Sequence, residues 1–233
     1  MFESEQKGMA LLNSANAFRI PECYFIGEYA DKSFLLMEFV ESAPTAGEFW
    51  ENFASALADL HKNSSETFGL DYDNYIGSLP QVNTRASTWA DFFIENRLQL
   101  QEKMARDSGK INKSISNRFS KLYYKMADLI PLEKPSLLHG DLWSGNFLAD
   151  QGMNPVIFDP AVYYGHREMD IAMSLLFGGF SSDMYIHYQQ KFPLESGWEE
   201  RAAIWNLYPL MVHVNLFGGG YMSQVETILQ RYT

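Results

Sequence analysis

Apolar residues recur at helical intervals over most of this chain and take on strand character in only a few short places. In EFWENFASALADLHKN, Phe49, Phe53, Leu57 and Leu60 form one stripe, the mark of an amphipathic helix. Residues 1–15 carry Phe2, Met9 and Leu12 near helical spacing, with acids early and a polar exit, and predict a first helix. TWADFFIENRLQLQEKMARD and SISNRFSKLYYKMADLI predict two more. Before Phe49 lie two strand-like runs, CYFIGEY (23–29) and SFLLMEFV (33–40), joined by Ala30-Asp31-Lys32, which predict an antiparallel pair. Residues 64–87 are rich in Ser, Asn, Gly, Tyr and Asp and read as a long loop, a feature more often functional than not. Leu137 to Pro160 reads as short strands and turns, and the chain from about Arg167 onward as mostly helical. No repeat or low-complexity tract interrupts the pattern. The fold class is α+β, a small sheet-bearing lobe followed by a larger, mainly helical one.

Composition narrows the function classes. The chain has 233 residues, 46% hydrophobic and 15% aromatic, enough for a substantial core in one domain or two unequal lobes. Its net charge of -11 repels nucleic acid and anionic membrane, and no Lys/Arg cluster reverses that field locally. The longest apolar run, AIWNLYPLMVHVNLFGGGYM, contains Asn206, Pro209, His213 and Asn215 and reads as a buried helix rather than a membrane span. The glycines at 218–220 read as its C-cap or a turn. MFESEQK is acidic and polar, the wrong pattern for a signal peptide, so a cytoplasmic location is expected. A single cysteine, Cys23, forbids an internal disulfide and reads as a buried apolar filler.

The candidate chemistry lies in LLHGDLWSGNFLADQGMNPVIFDP. An apolar pair, Leu137-Leu138, predicts a short buried strand that ends at His139, and Gly140 lets the chain turn sharply. Asp141 is then held at a strand end, where it can accept a proton from a substrate hydroxyl. Asn146 offers a neutral oxygen suited to magnesium, and Asp159 ends the next strand as a second carboxylate. One aspartate for a hydroxyl, plus an amide and an aspartate for metal, is what phosphoryl transfer from ATP requires. The spacing follows H-R-D-x-x-x-x-N with glycine in place of arginine, and Asp159-Pro160-Ala161 stands where D-F-G would. Either aspartate alone reads more readily as a turn or capping residue, and it is the three residues in this order and framing that favour the site. Zinc is a weaker reading, because the five histidines show no H-E-x-x-H and no cysteine partner.

HGDLWSGN followed by FDPAVYYGHREMDIAMSLLFGGF resembles the fructosamine kinase (ketosamine-3-kinase) family, within the aminoglycoside-phosphotransferase and protein-kinase-like fold. MFESEQKGMALL, FLLMEFV, LADLHKN, FGLDYDNYIGSLPQVN, WADFFIENRLQLQ and VHVNLFGGGY extend the resemblance along the chain. It implies a two-lobed kinase fold, with residues 1–40 as an N-lobe remnant (helix, strand pair and hinge) and 41–233 as the helical catalytic lobe. It implies Asp141 as catalytic base, Asn146 and Asp159 as magnesium ligands, and Met37-Glu38-Phe39-Val40 as the adenine-contacting hinge. Glu5, with Glu3 as alternate, would pair with a phosphate-binding lysine. Trp143 would wall the ketosamine site, with a packed core aromatic as the competing role, and Asp170 would anchor the catalytic loop. His213, His166 and Asn215 would approach the substrate cleft or serve the core, and His61 would be structural.

The implied activity is Mg-ATP-dependent phosphorylation of the 3-hydroxyl of fructosamines or ribulosamines, on small amines or protein lysines, as in protein deglycation. The family's Gly-rich turn and phosphate-binding lysine precede the M-F-E segment at which this chain starts, and Lys7 lies too late to substitute. A truncated N-lobe, impaired transfer and an open sheet edge capable of self-association are therefore expected. Two other readings fit the same residues: another small-molecule kinase acting on an amino sugar or amino alcohol, and a non-catalytic remnant or binding module.

Overall fold

Helix α1 (Phe2–Ser14) buries Gly8, Met9 and Leu12, the stripe that the spacing of Met9 and Leu12 predicts. The computed structural model describes all residues 1–233. Gly8 matters for position. A Cβ there would stand 3.3 Å from both Pro160 and Val162, so the absence of a side chain lets α1 lie directly on the segment that follows Asp159.

Strands β1 (Cys23–Tyr29) and β2 (Lys32–Met37) form the expected antiparallel hairpin, from Cys23 opposite Met37 to Tyr29 opposite Lys32. The pair makes a two-stranded sheet of its own and exposes Tyr24, Phe25, Tyr29, Phe34 and Leu36. The second strand stops at Met37 rather than Val40. Just beyond it the Glu38 N–H still donates to the Glu22 carbonyl at 2.8 Å, while the Glu38 carboxylate accepts from Arg19 at 2.6 Å and from the Glu22 N–H. Cys23 is only partly buried, with its Sγ 3.4 Å from Met9 Sδ.

The segment 64–87 is not the structureless loop its composition suggests. It holds a hairpin, β4 (Asn74–Ile76) and β5 (Leu79–Gln81), turned at Gly77 with φ 55°. Three of its amides are buried and bonded to one another: Gln81 and Asn83 both donate to Asn74 Oδ1, at 2.8 and 2.9 Å. Asn74 then donates to the Val162 carbonyl (2.8 Å) and Gln81 to that of Ala161 (3.0 Å). Polar composition misleads here because the amides satisfy a backbone stretch that has no sheet neighbour.

The remainder is helical around a hydrophobic core. Helix α2 (Phe49–His61) buries Phe49, Phe53, Leu57 and Leu60 against α7 (Ser182–Lys191). The predicted helix from Thr88 is interrupted. Between α3 (Trp89–Phe93) and α4 (Gln99–Asp107), one wide turn spans Ile94–Leu98 and turns Arg97 inward onto the Tyr163 ring, 4.1 Å from its centroid. Helix α5 (Lys113–Leu129) is capped by Asn112. Two short sheets carry the central segment, β3 (Ser42–Ala43) with β7 (Phe147–Asp150) and β8 (Pro155–Ile157), and β6 (Ser136–Leu138) with β9 (Tyr163–Gly165). Helix α6 (Glu168–Phe177) packs on α8 (Trp198–Phe217), and α9 (Met222–Tyr232) closes the chain. Helix α8 is buried along most of its length, as expected, and Gly218 caps it. No helix is long and apolar enough to cross a membrane.

His166 belongs to this core and not to a cleft. Its ring is fully buried, 5.3 Å from that of Trp205, and Nε2 has no hydrogen-bond partner. Burial holds its pKa below the ordinary histidine value, so the folded state keeps it neutral. The unfolded chain takes up that proton near pH 6.5, so this contribution to stability is complete above that pH and is lost as pH falls. Urea midpoints of the wild type should drop between pH 7.5 and 5.5, and His166→Phe should flatten the decline.

Candidate active site

Asp141, Asn146 and Asp159 stand in the turns beside three short strands, β6, β7 and β8. Strand β6 ends at Leu138, one residue before His139, and Gly140 turns the chain with φ 82°. A Cβ at Gly140 would overlap the carbonyl oxygen of Ala161, so glycine is required twice over, by conformation and by space. The turn is held from below. Asp170, in the first turn of α6, accepts the N–H groups of His139 (2.8 Å) and Gly140 (2.9 Å). His61 Nε2 lies 3.2 Å from the same carboxylate, and its Nδ1 lies 2.7 Å from the Tyr188 hydroxyl. The anchoring geometry expected of Asp170 and the structural place of His61 are both present.

His139 ties this turn to the next. Its Nδ1 accepts the Asp141 N–H at 3.2 Å, so the neutral ring carries its proton on Nε2, 3.1 Å from the Phe158 carbonyl. Burial lowers its pKa and favours that neutral form. The Asn146 Nδ2 closes the arrangement by donating to the Asp141 carbonyl (2.9 Å), the Asp141 carboxylate (3.2 Å) and the Asp159 carbonyl (3.3 Å). Asp141, Asn146 and Asp159 thus meet in one place, as their spacing suggested.

Each group is left with a usable atom. Asn146 Oδ1 accepts no hydrogen bond, and the exposed Asp159 carboxylate has neither an ion pair nor a donor. Asp159 sits at φ 54°, a strained conformation for a residue other than glycine, and such outliers gather at functional sites. The Asp141 carboxyl is pushed up to about 7, first by burial and then by the negative charge of Asp159. A cation placed between Asn146 and Asp159 would relieve the second of these. Two hard oxygens with open coordination suit magnesium shared with phosphate groups, rather than an all-protein cage.

Two cavities share these residues. The first, of about 660 Å3, is lined by Glu5, Met37, Tyr75, Asp141, Asn146 and Asp159, among others. The second, of about 390 Å3, shares Gly77, Asp141, Trp143 and Asp159 with it and continues to Phe177, His213 and Tyr221. Trp143 therefore stands between the two. It is 39% exposed and packs edge-on to Phe177 at 6.3 Å, which makes it a cavity wall rather than a core aromatic.

The other expected residues divide. Glu5 lines the first cavity, where burial and then the charge of Asp159 raise its pKa, whereas Glu3 is exposed and does not. Among the hinge residues only Met37 lines that cavity, and the Glu38 side chain is committed to Arg19. Phe39 is 88% exposed, yet the N–H groups of Phe39 and Val40 bond to nothing in the protein and remain free for a ligand. His213 lines the second cavity. Asn215 does not, because its amide is spent on Gln101 at 2.7 Å. Lys7 lies over the Tyr72 ring, at 5.6 Å from its centroid. Tyr75, Phe177, Phe217 and Tyr221 line the cavities without having stood out in the sequence, where their spacing is that of ordinary packing.

The whole chain, residues 1–233, matches the family described as Fructosamine kinase. The "Probable ketoamine kinase" of Enterococcus faecium is 42% identical over 234 residues, covering 99% of this chain and 82% of that protein. The chain belongs to the fructosamine kinase family. The chloroplastic protein-ribulosamine 3-kinase of Arabidopsis thaliana is 39% identical, covering 100% of this chain and 72% of its own length. Among solved structures, a "Putative fructosamine-3-kinase" from Haemophilus somnus superposes with TM-score 0.89 at 32% identity, over 100% of this chain and 79% of that one. The aminoglycoside phosphotransferase APH(4)-Ia superposes with TM-score 0.61 at 16% identity, over 96% of this chain and 82% of that one, a likeness of fold. The fructosamine kinase assignment thus bears out the α+β, protein-kinase-like fold and makes the chain a ketosamine-kinase-type phosphotransferase, for which ATP is the implied donor. The family match runs from residue 1 to residue 233.

Proposed function

We propose that this chain transfers the γ-phosphoryl group of ATP to the 3-hydroxyl of a ketosamine, a fructosamine or ribulosamine on a small amine or a protein lysine. The observation that carries this reading is the position of Asp141 at the junction of two cavities that meet at Trp143, one reached by Met37 of the hinge and one lined by Phe177 and His213. In this reading the first cavity takes the nucleotide, with Met37 and the backbone of residues 38–40 against the adenine. Asp141 accepts the proton of the attacking hydroxyl, and the Asn146 amide holds its carboxylate in line. Asn146 Oδ1 and Asp159 would hold magnesium. Bound there, the ion would supply positive charge against the phosphates and lower the cost of ionising Asp141. Trp143 and His213 bound the acceptor side. Glu5 faces the nucleotide cavity as the partner for a cation.

The division into residues 1–40 and 41–233 belongs to the same proposal, as does self-association through the open edges of the β1/β2 hairpin. The test is a coupled ATP-consumption assay with a ribulosamine, with and without EDTA. Chelator-sensitive turnover is the expected result. Rates at background level would remove catalysis and leave the binding-module reading. Turnover of an amino sugar in place of the ketosamine would favour another small-molecule kinase.

A further inference from the structure

The second cavity is built unlike a site for a bare sugar. A bare sugar also needs many donors and acceptors, and here the polar side chains are few while aromatic rings follow one another around the cavity. Trp143 meets Phe177 at 6.3 Å, Phe177 meets His213 at 4.9 Å, and His213 meets Tyr221 at 4.8 Å and Phe217 at 5.4 Å. Met173, Val212 and Leu216 line the cavity as well. Its carboxylates, Asp141 and Asp159, are the ones it shares with the nucleotide cavity. His213 donates from Nδ1 to the Pro209 carbonyl at 2.8 Å, so in the neutral ring Nε2 offers a lone pair and no donor.

Charge is equally one-sided. No lysine or arginine lines either cavity, and the acidic groups are Asp141, Asp159 and Glu5. Resting on the ketosamine-kinase reading, we infer that this cavity selects ketosamines by their amine substituent, accepting uncharged, apolar stems and refusing a carboxylate placed beside the amine.

The chemistry follows from where the substrate must lie. Its reacting hydroxyl has to reach Asp141, and the amine is carried two carbons from the carbon that bears that hydroxyl. The amine, protonated, is attracted by the aromatic faces as well as by the two aspartates. The substituent beyond it then runs along Phe177, Phe217 and Tyr221. An alkyl or benzyl group gains contact there. A carboxylate on the first carbon would instead be stripped of water against apolar walls, close to two like charges and without a cation to pair with. A lysine side chain within a protein satisfies the filter. It presents methylenes to the rings, and its carboxyl group is consumed in a peptide bond.

Four ketosamines of one sugar test this: those formed on propylamine, benzylamine, glycine and glycinamide. Affinity is read by titration calorimetry and turnover by ATP consumption, so that binding reports on the cavity even if transfer is slow. The glycine adduct should fall about tenfold or more below both the glycinamide and the propylamine adducts, two uncharged controls that bracket its amine basicity. The benzylamine adduct should bind more tightly than the propylamine adduct. Phe217→Ala and Tyr221→Ala should narrow that second gap while preserving the first, which depends on charge. Equal binding of the glycine and glycinamide adducts would overturn the inference and leave the ketosamine-kinase reading standing. Absence of both binding and turnover for all four would overturn that reading, and the inference with it.

Discussion

Replacing Asp141 with alanine is expected to lower the rate of phosphoryl transfer by about two to four orders of magnitude, the usual contribution of a positioned base. The effect should fall on kcat rather than on nucleotide affinity. Asp141 borders the first cavity, but the groups proposed to hold the nucleotide, the hinge N–H groups and the oxygens of Asn146 and Asp159, belong to other residues and stay in place in the variant. The substitution also removes one of the like charges that meet in the cavity. Stability should therefore change little, because the Asn146 amide keeps its bonds to the two carbonyls. Single-turnover kinetics of wild type and variant, with thermal shifts in the presence of Mg-ATP, separate the two quantities. A variant that retained wild-type kcat would remove Asp141 from the role of base.

Asp170→Ala should act through the fold instead. This carboxylate is almost completely buried and satisfies three groups, the N–H of His139, the N–H of Gly140 and the His61 ring. Truncation leaves two backbone donors and an imidazole without partners, at about 3–5 kcal/mol of stability. The released turn is the one that aims Asp141, so activity should fall even at temperatures where the variant stays folded. Asp170→Asn preserves one acceptor oxygen and should recover part of both losses. Urea denaturation and kcat of the same preparations provide the check. Loss of activity without any loss of stability would contradict an anchoring role.

Much of the site was legible in sequence because its three central residues sit in turns beside short, consecutive strands. Asp141, Asn146 and Asp159 lie within nineteen positions of one another, and local geometry was enough to bring them together. Trp143 was legible for the same reason. What sequence left hidden depends on distant packing. Phe177 and Tyr221 reach the second cavity only because α6 and α8 pack together and the chain turns at Gly218. Asn74, Gln81 and Asn83 carry the composition of a solvated loop, and only the fold shows that they are interior. His166 and Asn215 take the core role that the sequence favoured over the cleft. Polar residues near a motif can be consumed by core neighbours, a Trp205 ring in one case and Gln101 in the other.

The clamp on Ala161 and Val162 is made of side-chain amides and carbonyls, with no formal charge on either side. Mobile ions screen charges and act far less on short bonds between buried dipoles. The Arg19 contacts to Glu38 and Asp150 are the opposite case, partly exposed ion pairs that added salt weakens. The two ends of this molecule should therefore diverge in brine. The backbone behind Asp159 keeps its place in 1 M salt, while the strand hairpin, tethered through Glu38, loosens from the rest.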